Sequence, residues 1–273
     1  MKIAILYICT GNYDVFWDGF YESAEKNFYP NFEKEYFIFS DSKKMYALAS
    51  EKIHVFWQNN AGWPYNTLMR YQWFCSVQDA LSSFDYAFFC NANMRFLKPT
   101  TEKEIPLPTE DAPLTLAVHT QNYEDELGIN FQPERNPKSR AYIPEGTPVR
   151  AYAGGFWGGT AKAVMEMCRT LRDRINDDLS RDIIAIWHDQ SHLQKYASEK
   201  AHSIIAKNVI SSEEYSNDES YAIFLNKAHF GGNDKLRGVP AKKRFFNKVK
   251  HFPRRVARAL GITRLFKKLL RRK

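Results

Sequence analysis

The sequence lacks the motifs that most often identify a metal centre or a phosphate-binding loop. Its 273 residues include only four cysteines, which are widely spaced and form no C-x-x-C pair. Zinc is therefore not expected, whereas core thiols in a reducing compartment are. Neither G-x-G-x-x-G nor G-x-x-x-x-G-K-[ST] occurs, so the dinucleotide fingerprint and the P-loop are both excluded. The absence of G-x-S-x-G argues against an α/β-hydrolase.

Long hydrophobic runs are also missing. No segment of the sequence is long enough to span a bilayer. The N-terminal run MKIAILYICTG is too short and too lightly flanked for a signal peptide. The simplest expectation from these two observations is a cytoplasmic protein.

The composition is typical of a folded protein, with 26% charged and 15% aromatic residues. The chain length suits one α/β domain with an appendage. Helical periodicity in residues 16–28 and a long amphipathic pattern in residues 160–175 predict two helices. Short apolar runs predict strands at residues 2–9, 35–39, 52–57, 86–90, 94–97, 114–119, 204–210 and 222–225.

Residues 86–90 form an unbroken apolar run that predicts a strand buried on both faces. The run stops at Asn91-Ala92-Asn93, where two polar side chains two residues apart face the same side. Open α/β sheets bind ligands at the carboxyl ends of their strands, so Asn91 and Asn93 could both reach one ligand. Strand termination and turn capping are the alternative, and the residues alone leave both open.

Two further segments carry unusual residues next to predicted elements. Arg70 lies in the first turns of a predicted helix over residues 66–81, where the helix dipole disfavours a cation. An anionic partner such as a phosphate would explain this position, and so would exposure to solvent. Paired glycines flank two aromatic residues in residues 153–159, which predicts close backbone approach or, alternatively, a simple hairpin turn.

The stretch WHDQSH, residues 187–192, is the densest polar and aromatic cluster of the chain. His188 and His192 have the i, i+4 spacing of a zinc pair, but no glutamate lies between them and no third ligand is evident. Trp187 beside Asp189 and His188 suits carbohydrate, whose apolar face packs on the ring while its hydroxyls bond the polar groups. A capping aspartate and a satisfied core histidine are the structural alternative.

In chain order, these motifs resemble those of the family 6 retaining glycosyltransferases, which include the mammalian ABO blood-group transferases and bacterial relatives. The resemblance is carried by LYIC, TLMRY, DYAFFCNANMRF, PERNPKSRAYIPEG, YAGGFWGG and IWHDQSHLQKY, and it runs from residue 6 to residue 229. It implies a GT-A fold over residues 1–240, with a single mixed central sheet flanked by helices. It also implies that galactose or N-acetylgalactosamine is transferred from a UDP-sugar to a galactose 3-hydroxyl, with retention.

The resemblance implies roles for individual residues as well. Donor contacts are implied for Tyr7, Ile8, Cys9, Tyr13, Arg70, Asn91, Asn93, Ala153, Gly154, Gly155, His188, Asp189 and Lys227. Acceptor contacts are implied for His119, Gln132, Trp187 and Gln190, and the catalytic positions are Asp189 and Gln190. Small residues at 153–155 are where the family sets donor choice; they leave room for an acetamido group, which favours UDP-N-acetylgalactosamine (UDP-GalNAc) over UDP-galactose.

The chain departs from the mammalian pattern at two places. Asn91-Ala92-Asn93 stands where those enzymes carry Asp-x-Asp, and neutral amides are poor ligands for the Mn²⁺ of a diphosphate site. No metal is therefore expected beside the UDP-sugar, and Arg70, Lys227 and Arg95 are expected to neutralise the diphosphate. Gln190 stands where the family has glutamate, which predicts an impaired enzyme, either by an engineered substitution or as a natural pseudoenzyme.

The net charge of +8 is concentrated at the C-terminus. Residues 242–273 contain fourteen Lys and Arg and no Asp or Glu, which leaves the first 241 residues at about −6. This distribution argues against nucleic acid as a partner. Apolar residues among the basic ones, divided by Pro253 and Gly261, predict a tail over residues 241–273 of short amphipathic helices that bind an anionic membrane surface. An RNA-attracting or simply solvated tail is the alternative.

These features together predict a metal-independent α-1,3-N-acetylgalactosaminyltransferase, peripheral on the inner face of a bacterial inner membrane. Its expected acceptor is a galactose-terminated oligosaccharide or glycolipid, and the family suggests α1,2-fucosylated galactose. A UDP-galactose-dependent α-1,3-galactosyltransferase is one alternative. A non-catalytic UDP-sugar- or glycan-binding protein is the other, and it is motivated by the two asparagines together with Gln190.

Overall fold

A computed structural model describes residues 1–118, 132–206 and 208–243. Met1–Asn226 form one compact unit, and a second unit begins at Lys227. The predicted boundary between a domain over residues 1–240 and a tail over residues 241–273 stays a prediction, because residues 244–273 lie outside the described part of the chain. In the described ranges, every helix falls short of the length and apolar character that crossing a bilayer requires.

The first unit is built on a mixed central sheet. Its strands are β1 (Lys2–Ile8), β2 (Glu33–Ser40), β3 (Ile53–Trp57), β4 (Tyr86–Asn91), β6 (Leu114–Val118), β7 (Tyr152–Thr160) and β8 (Ser203–Ile205). Their order is β3-β2-β1-β4-β7-β6-β8. The first four strands are mutually parallel, whereas β7 runs antiparallel to both of its neighbours. The carboxyl ends of four strands therefore share one edge, where Ile8 is paired with Asn91.

A second, three-stranded sheet accompanies the central one. It contains β5 (Met94–Phe96), β9 (Ile210–Ser212) and β10 (Ala222–Phe224), with β10 in the middle. The predicted single strand over residues 204–210 is wrong, because β8 and β9 are separate short strands of different sheets. The predicted central mixed sheet is confirmed, and the small sheet ties the end of the unit to the segment that follows β4.

Helices flank the central sheet. In the first unit they are α1 (Trp17–Asn27), α2 (Lys43–Tyr46), α3 (Tyr65–Leu68), α4 (Arg70–Cys75), α5 (Gln78–Leu81), α6 (Ala161–Ser180) and α7 (Asp189–Ala197). The apolar face predicted around α1 is confirmed, since Phe16, Phe20, Ala24 and Phe28 are all buried. The single helix predicted over residues 66–81 is wrong. It is three short helices, because the backbone leaves regular helical geometry at Met69 (ψ −1°) and Val77 (ψ 14°).

The glycine-rich residues 153–159 lie inside strand β7, so the hairpin-turn interpretation is wrong. A Cβ on Gly158 would lie 2.1 Å from a ring carbon of Phe88, its partner on β4. A Cβ on Gly159 would lie 2.5 Å from the carbonyl oxygen of Pro113. Close backbone approach is therefore confirmed as the reason for the glycines, because any larger residue would separate the strands.

His188 and His192 contact different groups in the described part of the unit. His192 is buried, and its Nε2 lies 3.6 Å from Asp178 Oδ2, while His188 lies at the start of α7. Among the described residues, no group of three His, Cys, Asp or Glu could hold a metal ion. All four cysteines are buried and free, as their spacing predicts.

The free energy of unfolding is expected to fall more steeply in acid for the wild-type protein than for a His192→Gln variant. Burial, reinforced by Arg174, lowers the pKa of His192 to about 3, below the value of about 6.5 for an exposed histidine. The contribution of the neutral ring is therefore complete above pH 6.5 and is lost as the pH falls towards 3, at up to about 1.4 kcal/mol per pH unit. Urea unfolding of both proteins at pH 7, 6 and 5 measures the difference. If the free energy of unfolding depended on pH equally in the two proteins, His192 would be protonated in the folded state as easily as in the unfolded state, despite the neighbouring Arg174.

Candidate functional site

Asn91 ends β4, and Asn93 follows in the turn before β5. Asn91 Nδ2 donates to Asn93 Oδ1 at 2.6 Å, and Asn93 Nδ2 donates to the carbonyl of Leu225 at 2.7 Å. The two side chains therefore meet, as their spacing predicts. Both are neutral and the oxygen of Asn93 is already bonded, so the pair does not fit the hard anionic donor set of a Mn²⁺–diphosphate site.

The end of β1 lies beside this pair. Tyr7 is fully buried, and its hydroxyl donates to the carbonyl of Ala92 at 3.1 Å, so it supports the turn between the two asparagines. Ile8 is half-buried. The backbone N–H of Cys9 donates to the carbonyl of Phe39 and its carbonyl accepts from the hydroxyl of Ser40, both at 3.0 Å and both on β2. Burial raises the pKa of the Cys9 thiol to about 12. Tyr13 is half-buried at the start of a short 3-10 helix. The uridine contacts of these four residues stay predictions.

Arg70 is buried and joins two parts of the site. Its Nη1 donates to the carbonyl of Gly154 at 2.6 Å and lies 3.2 Å from Asp189 Oδ2. The guanidinium also lies over the ring of Phe89, 4.5 Å from the centroid. Solvent exposure is therefore the wrong explanation for this cation. An anionic partner is confirmed, and it is a carboxylate of the protein itself; contact with a diphosphate stays a prediction.

Asp189 and Gln190 begin helix α7 and face strand β7. Burial raises the pKa of Asp189, and the nearby Arg70 opposes that shift. Gln190 Nε2 donates to the carbonyl of Tyr152 at 2.7 Å, and a Cβ on Gly154 would lie 3.5 Å from the Gln190 side chain. The fold thus brings the two predicted catalytic positions against the strand predicted to set donor choice.

The space beside Gly155 is already occupied. A Cβ on this residue would lie 3.0 Å from the ring of Phe224 and 3.4 Å from Asn91 Cβ. Gly155 therefore permits close packing of β10, and the room predicted for an acetamido group at Ala153 and Gly154 stays a prediction. Nothing local in the sequence distinguishes Phe224 from any other strand residue, so it was missed.

His188, the residue before α7, has a backbone that favours glycine. Its φ is 54° and its ψ is −128°, a combination that non-glycine residues rarely adopt. Its ring packs edge-on against Trp63, with 4.7 Å between centroids. Strain of about 1–3 kcal/mol at such a residue persists only when the surrounding structure imposes it, and such residues concentrate at functional sites.

A His188→Gly variant is expected to be more stable than His188→Ala by about 1–2 kcal/mol. Both substitutions remove the ring from Trp63, but only glycine relieves the backbone strain. At an ordinary helix terminus the two variants would be nearly equal or alanine would be the more stable. Thermal unfolding of the pair measures the difference. If alanine is the more stable variant, the strained backbone is not a property of the protein in solution.

The acceptor residues are only partly described. His119 lies outside the described residues, so its predicted role is untested. Trp187 is 40% exposed, and its indole Nε1 donates to the carbonyl of Gln132 at 3.0 Å. The buried carboxylate of Glu134, a residue that was missed because a buried glutamate has no local signature, accepts from the backbone of Ile186 at 2.7 Å. Gln132 and Glu134 are thus joined to the residues that precede α7.

Two further cations, Arg95 and Lys227, were predicted to neutralise the diphosphate. Arg95 is exposed on β5, and its guanidinium packs on Gly19 of α1. Lys227 belongs to the second unit, where it begins a 3-10 helix, Lys227–Phe230, that precedes α8 (Gly232–Leu236). The predicted diphosphate contact of Lys227 stays a prediction.

Comparison with known proteins agrees with this arrangement. The family model Glycosyltransferase family 6 matches residues 1–226. The chain is 34% identical over 196 residues to the O-antigen biosynthesis glycosyltransferase WbnI of Escherichia coli, which covers 72% of this chain and 82% of that protein.

Animal relatives are more distant. Histo-blood group ABO system transferase 1 of Rattus norvegicus is 28% identical over 201 residues, or 71% of this chain and 56% of that protein. Globoside alpha-1,3-N-acetylgalactosaminyltransferase 1 of Gallus gallus is 24% identical over 205 residues. The match covers 72% of this chain and 57% of that protein. The chain thus spans little more than half the length of these two relatives.

The family match covers the whole first unit, whose mixed sheet flanked by helices is that of a GT-A glycosyltransferase. Members of the family act on a UDP-sugar donor and a glycan acceptor. The residues that meet at the carboxyl edge of β1 and β4 are those by which the sequence resembles the family. This chain therefore belongs to glycosyltransferase family 6 and is a glycosyltransferase.

Proposed function

We propose that the chain is a retaining α-1,3-N-acetylgalactosaminyltransferase that uses UDP-GalNAc. The observation that carries the proposal is the meeting of Arg70, Asp189, Gln190 and Gly154 at one edge of the sheet. In this reaction the bond between the anomeric carbon and the diphosphate breaks, and a bond from that carbon to the acceptor 3-oxygen forms. The proton of the acceptor hydroxyl passes to the UDP leaving group or to solvent.

The donor assignment is supported by the small size of Ala153 and Gly154, which lie on β7, the strand that faces Gln190. One of the animal relatives is named as an α-1,3-N-acetylgalactosaminyltransferase. Because Gly155 is packed against Phe224, only Ala153 and Gly154 support this donor assignment. UDP-galactose is the second candidate donor.

We propose that the transfer needs no divalent cation. Asn91 and Asn93 are neutral and bonded to each other, and a carboxylate pair of the kind that holds Mn²⁺ is missing from their positions. The positive charge needed at the diphosphate would then come from Arg70 and Lys227, in a site whose preorganised charges replace the metal.

The proposed acceptor is a galactose-terminated glycan. Trp187 presents an exposed ring whose plane is held by its hydrogen bond to Gln132, and a fixed indole is a suitable surface for the apolar face of a sugar. The bacterial relative is named as an O-antigen biosynthesis enzyme, which supports a surface glycan. A requirement for α1,2-linked fucose on the galactose is part of the proposal.

The test uses the full chain with UDP-GalNAc, UDP-galactose or UDP-N-acetylglucosamine and a panel of galactosides with and without α1,2-fucose. We expect α-1,3-linked product by NMR, formed fastest from UDP-GalNAc and at equal rates in EDTA and in Mn²⁺. A several-fold change with either additive would contradict metal independence, and faster use of UDP-galactose would establish the second donor. Tight UDP binding without transfer or hydrolysis would favour the binding-protein alternative that Gln190 motivates.

We also propose that the basic residues 242–273 bind anionic membrane, which would place the enzyme on the inner face of the inner membrane. Liposome flotation of the full chain and of a chain ending at residue 241 tests this. We expect the full chain to float with anionic vesicles and the shortened chain to stay at the bottom. Equal flotation of both chains would overturn the proposal.

A further inference from the structure

Three hydrogen bonds fix the chain at the end of β10. The backbone N–H of Leu225 donates to the carbonyl of Asn93 at 2.8 Å, and Asn93 Nδ2 donates back to the carbonyl of Leu225 at 2.7 Å. The next N–H, that of Asn226, donates to the carboxylate of Glu213 at 2.6 Å. Both polar groups of Leu225 are therefore paired with one residue of the turn after β4.

The side-chain amide of Asn93 makes two hydrogen bonds that an ionised carboxylate could not both make. Its oxygen accepts from Asn91 at 2.6 Å while its nitrogen donates to Leu225, and the residue is 4% exposed. An ionised carboxylate has acceptor oxygens only. An aspartate at this position would place a negative charge against the carbonyl oxygen of Leu225 in a buried setting, where an unpaired acceptor is costly.

Phe224 precedes the clamped residue, and its ring lines the site. The ring lies where a side chain on Gly155 would be, at 3.0 Å from the position of such a Cβ, and the same position is 3.4 Å from Asn91 Cβ. The backbone of Gly155 is therefore enclosed by the ring of Phe224 and the side chain of Asn91. Displacement of Leu225 would move this ring.

We propose that Asn93 is a positioning residue of the donor site, whose amide clamps Leu225 and so holds Phe224 against Gly155. The proposal rests on the proposed function in one respect, which is that a UDP-sugar binds at the donor site beside Asn91 and Asn93. It makes the second asparagine of the pair a structural donor for β10, not the remnant of a metal ligand. The clamp also fixes the point from which the chain continues to Lys227.

The test compares Asn93→Asp, Asn93→Ala and the wild-type protein by calorimetric titration with UDP between pH 5 and pH 8. At pH 8 we expect both variants to bind UDP at least about 10-fold more weakly than wild type. Burial raises the pKa of an aspartate, and a protonated carboxyl can donate to the Leu225 carbonyl. The aspartate variant should therefore approach wild-type affinity at pH 5, whereas the alanine variant should remain weak throughout.

A matched control is Asn217→Asp. Asn217 is exposed, and its Oδ1 accepts from the backbone of Glu219 at 2.9 Å, a role that aspartate retains. We expect this variant to bind UDP like the wild type at every pH. Each affinity is expressed relative to wild type at the same pH, which removes the effect of ionisable groups that the proteins share.

The proposal is overturned if Asn93→Asp binds UDP like wild type at pH 8, if its deficit is the same at pH 5, or if Mn²⁺ restores its binding. Hydrogen exchange of residues 222–226 gives a readout that needs no ligand. We expect faster exchange in both Asn93 variants, and unchanged exchange would also overturn the clamp. A wild-type protein that fails to bind UDP would instead contradict the proposed function, while the exchange experiment would still test the clamp.

Discussion

Replacing Gln190 with glutamate is expected to raise the rate of sugar transfer by about 10²–10³-fold. A carboxylate at this position would stabilise the positive charge that develops at the anomeric carbon, and one preorganised charge typically contributes a factor of this size. The neutral amide of Gln190 instead donates to the carbonyl of Tyr152. Initial rates with UDP-GalNAc and a galactoside acceptor measure the gain.

The same substitution removes the hydrogen bond to Tyr152. Because a carboxylate cannot donate, the new side chain is expected to turn away from that carbonyl, with a loss of about 1 kcal/mol in the free energy of unfolding. A Gln190→Ala variant loses the same bond without gaining a charge, so it should be destabilised to a similar degree and should show no gain in rate. A glutamate variant no faster than wild type would mean that this enzyme works with an amide, and the impaired-enzyme hypothesis would be wrong.

Asp189→Asn and Arg70→Met are each expected to destabilise the protein by about 3–5 kcal/mol and to abolish measurable transfer. Arg70 and Asp189 form an ion pair 3.2 Å apart in which both side chains are buried. Removing one partner leaves the other as an uncompensated charge in a low-dielectric setting. Urea unfolding and transfer assays on the purified variants measure the two effects.

The double variant Arg70→Met/Asp189→Asn separates folding from chemistry. With both charges gone, most of the lost stability should return, because no uncompensated buried charge remains. Transfer should remain absent, since the site has lost both the cation and the carboxylate. Recovery of transfer together with stability would show that the pair serves only the fold. A double variant no more stable than either single variant would contradict the ion pair.

Patterns local in sequence predicted much of this structure. The apolar run before Asn91 and the period of α1 are properties of adjacent residues, so strand and helix were predicted close to their observed bounds. The two-residue spacing of Asn91 and Asn93 was enough to predict that their side chains meet. The family motifs added the fold and the enzyme class, because they extend along almost the whole first unit.

Local patterns failed where the deciding partner is distant. The helix over residues 66–81 breaks at Met69, and Arg70 turns inwards to a carbonyl 84 positions away, so the cation that suggested a phosphate meets Asp189. The backbone strain at His188 likewise follows from how α7 is joined to the rest of the unit. No propensity of the residues themselves indicates either feature.

The sequence by itself determined that Asn91 and Asn93 lie where β4 ends, since strand ends are encoded locally. Only the tertiary structure decided what their polar atoms bond. Asn93 and Leu225 are separated by 132 positions, and their hydrogen bonds exist because β10 packs beside β5. A hydrogen bond depends on distances of a few tenths of an ångström, and those are set by packing, not by residue type.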